Sequence, residues 1–199
     1  ADFIVEDQTR RLPPLERILH TVLAINIGAV IALLAPILMR WWNAPTAIVA
    51  GDVEIADDAS VFFGCAVIAG DGRIVIGPRT NVQDNSRLYG GKAGEDIRIG
   101  RRVLVGHNVR IFPSIIEDDA IIGMGSIVSP GTIVRAGACV AAGSITEPGT
   151  EVTAGEVWSG RPARSARRLS DRNREEFSRA INIYVQYAGN YLACNGLKE

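Results

Sequence analysis

From Ile116 to Val152 an aliphatic or small side chain returns every six residues: Ile116, Ile122, Val128, Val134, Val140, Thr146 and Val152. A helix repeats at about 3.6 residues and a strand at about 2, so this period excludes both as the organising element. Three positions after the first six of these come Asp119, Gly125, Gly131, Gly137, Gly143 and Gly149, and one further on a small residue, Ala120, Ser126, Thr132, Ala138, Ser144 and Thr150. That register describes a short strand, a corner where φ turns positive, and a side chain small enough to point inward beside it. Three hexads close one triangular coil. The aliphatic residues then stack in ladders inside a prism whose coils lie about 4.8 Å apart, and each coil depends on its neighbours for stability.

The hexads begin at Val49 and run through Ile55, Val61 and Val67. An insertion around Gly70-Asp71-Gly72 precedes Ile76, Val82 and Leu88; a second excursion, Tyr89 to Asp96, precedes Ile99, Val105 and Ile111; one deletion then brings in Ile116. The run predicts between five and six coils, a prism about 27 Å long at the spacing of adjacent strands. Breaks in a strict repeat are where solenoids carry function. The net charge of −1 gives no global pointer to nucleic acid. Cys65, Cys139 and Cys194 lie far apart. Their odd count and scatter favour a reducing compartment, with Cys65 and Cys139 as small fillers of the coil wall.

On either side of the repeat the pattern changes, giving three segments: 1–43, 44–168 and 169–199. Leu12-Pro13-Pro14 opens a helix, and no charged residue occurs from Ile18 to Met39. Those 22 positions span about 33 Å as a helix, enough to cross a hydrocarbon core. The run ends in Arg40-Trp41-Trp42, and Trp41 and Trp42 are residues of a kind that settles at a membrane interface. The reading is a helix in contact with a lipid bilayer, spanning it or lying along it; the alternative is a helix buried against a partner protein. At the other end Trp158 is placed to plug the open coil stack, as such arrays require. Ser170-Asp171 caps a helix whose Phe177, Ala180, Ile181, Tyr184, Ala188 and Tyr191 share one face. That face is expected to dock on the solenoid's own flank.

The repeats, their breaks and the cap together resemble the gamma-class carbonic anhydrases. The matching segments are Gly70-Asp71, Thr80 to Ser86, Val105-Gly106-His107-Asn108, Ile116 to Asp119, Ile122 to Gly125, Val140 to Ser144 and Trp158 to Ala163. Their order and spacing make the resemblance specific. It implies a left-handed parallel β-helix and a trimer. Within the family the likeness is to the carbonic-anhydrase-like subunits of mitochondrial respiratory complex I in plants, algae and some protists, through the Ala180-Ile181-Asn182-Ile183-Tyr184 helix and the hydrophobic extension. It implies a heterotrimer with two other gamma-carbonic-anhydrase-like chains, held against membrane-arm subunits on the matrix side of the mitochondrial inner membrane.

The family's reaction is hydration of carbon dioxide by a metal-bound hydroxide, which needs three protein ligands and an open fourth position. The resemblance places three histidines at the positions of Tyr89, His107 and Phe112, those of Tyr89 and Phe112 from one protomer and that of His107 from its neighbour. Only His107 keeps the imidazole. Tyrosine is a poor zinc ligand at neutral pH and phenylalanine is none, so this chain alone is expected to hold no zinc and catalyse nothing. His107 is then either a single ligand to a neighbour's site or a leftover imidazole at a subunit interface. Asp71, Gln83 and Asp84 match family positions around the ligands, but Ala69 stands where the family has arginine. The plain reading of Gln83 and Asp84 is structural, as side chains capping backbone donors at a corner. Hexapeptide acyltransferases share the coil and use a histidine base, for which His107 is the candidate here. The reading that explains more of the chain is a non-catalytic scaffold.

Overall fold

The computed structural model describes residues 47–194. The chain divides into two units, Ala1–Ala44 and Pro45–Glu199, and the described residues all belong to the second. The apolar run 18–39 with Trp41 and Trp42 lies outside the described residues. Among the described residues no helix is long and apolar enough to cross a membrane.

The hexads wind into a left-handed parallel β-helix of three faces. The first face stacks Ser60–Val61, Asn81–Val82, Leu104–Val105, Ile121–Ile122, Cys139–Val140 and Glu156–Gly160. The second stacks Arg87–Tyr89, Arg110–Ile111 and Ile127–Val128 on the start of Ala66–Ile76. The third stacks Ile97–Ile99, Ser114–Ile116, Ile133–Val134 and Glu151–Val152 on the end of that same strand. Strand Ala66–Ile76 runs around the corner through the first insertion, which joins the second and third faces into one nine-stranded sheet. Where the repeat is strict, Ile121 pairs with Cys139 and Ile133 with Glu151. Each partner is three hexads further along the chain.

The corners turn as their residues require. Gly125, Gly131, Gly137, Gly143 and Gly149 all have positive φ, and Asp119 takes φ +57° without being glycine. The small residues beside them face inward: Ala120, Ser126, Thr132, Ala138 and Ser144 are buried. Polar members of this set are satisfied within the stack. Thr80 Oγ1 donates to Gly100 O at 2.7 Å and accepts from Val103 N at 3.0 Å, and Ser86 does the same with Gly106 O and Val109 N. Thr146, the hydroxyl in an aliphatic row, lies 2.9 Å from Thr132 Oγ1 and accepts from Ser129 N. The ladder residues Val67, Ile76, Val82, Leu88, Val105, Ile111, Ile122, Val128, Val134, Val140 and Val152 have no accessible surface. Burying each such side chain contributes about 1.5–3 kcal/mol.

The first coil departs from this pattern. Val49 and Ile55, placed inward by the repeat, are 47% and 41% exposed. Among the described residues they have a coil on one side only, so their register is kept while part of their burial is missing. At the far end Trp158 packs against the core over Val140, as its position predicts, and Ala163–Arg168 pairs antiparallel with Glu156–Gly160.

The C-terminal helix, Asp171–Cys194, starts at a Ser170 cap whose hydroxyl accepts from Asn173 N at 3.2 Å. It covers the first face: Ile181 is buried against Leu104, Ile121, Cys139 and Val157, with Phe177, Ala180 and Tyr184 alongside. Arg102 donates to Ser178 at 3.0 Å and Arg79 to Asn182 at 3.1 Å, tying successive corners to the helix. The predicted stripe reaches its end at Tyr191, which is 47% exposed yet packs edge-on against Phe62 and Phe63 of the first coils. Cys65 lies in the core as expected, whereas Cys139 lies between sheet and helix. Burial pushes both thiols up to about 11.

Candidate functional site

The sequence-derived site residues fall on two different edges of the prism, with the second face between them. Tyr89 ends the strand Arg87–Tyr89 and Phe112 follows Arg110–Ile111 on the next coil. Because Arg87 pairs with Arg110 and Leu88 with Ile111, Tyr89 and Phe112 stack directly, ring centroids 6.3 Å apart and planes inclined at 34°. Arg87 donates to the Tyr89 hydroxyl at 3.3 Å, placing a cation beside the ring. Asp71 lies on this side as well, exposed at the first insertion, its N–H donating to Gly91 O at 3.1 Å. The excursion Gly90–Asp96 and the corners at Pro113 and Pro130 enclose an open groove of about 680 Å³ that Phe112 lines. Asp96 at its rim is held below the ordinary carboxylate value by the N–H of Arg73 and the Arg98 guanidinium.

The other edge carries Gln83, Asp84 and His107. Asn81 pairs with Leu104 and Val82 with Val105, which stacks Asp84 directly on His107. Asp84 Oδ2 lies 3.0 Å from His107 Nδ1, both side chains about one-third exposed. Asn85 and Asn108 follow with φ of 60° and 56°, the same left-handed turn on two rungs. Gly106 allows the rungs to approach: a Cβ there would lie 2.8 Å from Met124 N. Burial, with the Asp84 charge next, raises the pKa of the Tyr184 hydroxyl, which packs edge-on against Phe62.

The structural reading of Gln83 and Asp84 is corrected here. Among the described residues neither side chain caps a backbone donor; Asp84 points its carboxylate at His107, and Gln83 is buried without a hydrogen bond to its side chain. The corner donors are met by carbonyls of the adjacent coil instead, with Asn85 N donating to Phe63 O and Asn108 N to Asp84 O. Stacked coils supply their own acceptors, so these corner donors need no side-chain cap. The spacing of 23 residues between Asp84 and His107 gave no local sign of the pair, since it spans an irregular coil.

A three-histidine zinc centre does not fit the Tyr89–Phe112 edge. Two aromatic rings stand where the resemblance places imidazoles, neither offers a good zinc donor, and the Arg87 guanidinium lies beside the Tyr89 hydroxyl. Among the described residues no group of three or more histidine, cysteine or carboxylate side chains comes together. His107 does fit the role of a lone donor. Its Nδ1 is engaged and its Nε2 is the remaining nitrogen.

No family model matches the sequence. Curated relatives do. Gamma carbonic anhydrase 2, mitochondrial, of Arabidopsis thaliana is 37% identical over 150 residues, 73% of this chain and 54% of that protein. The carbonic anhydrase of Geobacillus kaustophilus is 40% identical over 146 residues, 73% of this chain and 79% of that one. This chain belongs to the gamma carbonic anhydrase family. It spans little more than half the length of the plant gamma carbonic anhydrases 1 and 2, 57% and 54%. Among solved structures, a hexapeptide transferase family protein from Anaplasma phagocytophilum superposes with a TM-score of 0.68 at 31% identity, over 74% of this chain and 90% of that one. The Val105-Gly106-His107 corner lies on one edge and Tyr89 and Phe112 on another. In a single protomer they are separated by a face of the prism.

Proposed function

We propose that this chain is a non-catalytic gamma-carbonic-anhydrase-like subunit, a structural and assembly component of a heterotrimer on the membrane arm of mitochondrial complex I, on the matrix side of the inner membrane. The observation that carries this reading is the stacked Tyr89–Phe112 pair in place of two imidazoles, on a solenoid whose core is otherwise intact. The mitochondrial names of its plant relatives support the compartment. The uncharged run 18–39 followed by Trp41 and Trp42 supports attachment to a bilayer.

The loss of ligands is asymmetric. With nothing at either home position the chain hosts no zinc of its own, but His107 is available to complete a site on an adjacent protomer that kept both of those histidines. Zinc would then be held at that one interface. Losing one of three ligands releases or severely weakens such a metal.

Two measurements test the proposal. Deleting residues 1–43 should leave the β-helix folded, since its coils stabilise one another, and should free the chain from membrane-associated complexes. Retention through carbonate and detergent washes would make the solenoid the anchor. Reconstituting the heterotrimer with His107→Ala should lower zinc per trimer; an unchanged, non-zero content would leave His107 a relic.

A further inference from the structure

Three carboxylates at or beside the corners of this solenoid share a pattern that Asp84 lacks. Asp118 accepts from Arg101 N at 2.9 Å and from the Arg101 guanidinium at 3.0 Å. Glu117 accepts from Ala136 N at 2.9 Å and from Arg135 at 2.7 Å. Asp96 accepts from Arg73 N at 3.0 Å and from Arg98 at 3.1 Å. Each closes a backbone donor and an arginine. Asp84 does neither: among the described residues its carboxylate has one partner, His107 Nδ1, at 3.0 Å.

The backbone holds the two in place. Asn108 N donates to Asp84 O at 3.0 Å, Asn85 N to Phe63 O at 2.9 Å and Gly125 N to His107 O at 2.8 Å, so four successive rungs are pinned around the pair. A carboxylate accepts hydrogen bonds and, when ionised, donates none. With Oδ2 at 3.0 Å, a neutral imidazole is favoured with its proton on Nδ1 and its lone pair on Nε2.

We infer that Asp84 is the positioning residue of His107, fixing the tautomer and ring orientation in which Nε2 is presented to a divalent cation held by a neighbouring chain. This rests on the reading of His107 as a ligand offered to another protomer, and it adds the atom that binds and the residue that prepares it.

The tautomer can be read without any metal. The full chain contains two histidines, His20 and His107, so His20→Gln with ¹⁵N-labelled histidine leaves a single imidazole. Ring-nitrogen chemical shifts, recorded where imidazole is neutral, should report Nδ1–H in that protein. Asp84→Ala should shift the population toward Nε2–H, the form favoured by imidazole in water. Asp84→Asn keeps an acceptor oxygen and should restore Nδ1–H, which a merely structural role would not do; equal melting temperatures for the two variants separate the effect from unfolding. In the native assembly, Asp84→Ala should weaken zinc retention against a chelator roughly 10- to 100-fold. An Nε2–H tautomer in the parent, or a tautomer indifferent to Asp84→Ala, overturns the positioning role whatever the zinc content. A zinc-free parent assembly with the expected tautomer change instead sinks the shared-site reading and leaves the Asp84–His107 relation standing.

Discussion

Tyr89 and Phe112 stack on neighbouring coils with their ring centroids 6.3 Å apart, at the positions where the resemblance to the gamma class places two histidines. The two rings make this edge apolar, with Arg87 donating to the tyrosine hydroxyl. The solenoid tolerates this because outward positions on its faces take no part in the inward ladder.

Restoring both ligands should restore metal binding. Tyr89→His with Phe112→His, in a trimer of this chain that supplies His107 across each interface, is expected to copurify with zinc, whereas either single substitution is not. Metal analysis of the three variants decides it. A zinc-free double variant would mean that the surrounding edge, Arg87 included, bars the ion.

Val134 has no accessible surface and stacks between Ile116 and Val152. Val134→Asp would place a carboxylate in this dry column, at a cost of several kcal/mol when unpaired. The domain should fail to fold. Near-native thermal stability of the variant would show that the inward register is wrong.

Ile181 is 2% exposed and holds the C-terminal helix against Leu104, Ile121 and Cys139. Ile181→Ala should cost roughly 2–5 kcal/mol of docking. In a Cys194→Ser background, Cys139 should become reactive to a maleimide while Cys65, inside the prism, stays protected. Burial holds both thiols at about 11 in the docked form. Equal protection of Cys139 before and after the substitution would show that the helix is not its cover.

The hydrogen bond from Arg135, with a smaller contribution from Ala136 N, holds the Glu117 carboxyl below the ordinary glutamate value. A carboxyl depressed in the folded state contributes stability above its unfolded value, about 4.3, and loses it as pH falls through the folded one. Glu117→Gln should thus lower the melting temperature at neutral pH, and the two profiles should converge in acid. The effect should be small, because the contact is partly exposed. Parallel profiles across the acid range would show that the bridge contributes nothing.

The solenoid was legible in the residue pattern alone. A six-residue period with a positive-φ corner and an inward small residue has no other closed solution, and the buried ladder from Val67 to Val152 follows it position by position. The Trp158 plug and the capped helix start at Ser170 were legible in the same way, whereas the meaning of Tyr89 and Phe112 came only through the resemblance to the gamma class. Each of these is local, set by neighbours a few residues away. Other features depend on which coils lie above and below, and these emerged only with the chain folded. Val49 and Ile55 keep the inward register yet stay exposed, because burial in a ladder needs a coil on both sides. Tyr191 keeps its place in the docked stripe but rests on the rings of Phe62 and Phe63 and stays half exposed. Asp84 turns from backbone capping to His107 because the adjacent coil satisfies the corner donors, and an irregular coil of 23 residues, 84 to 107, brings the two side chains together. Stacking converts separation along the chain into contact at a fixed rise, and the insertions that break the repeat set which residues meet.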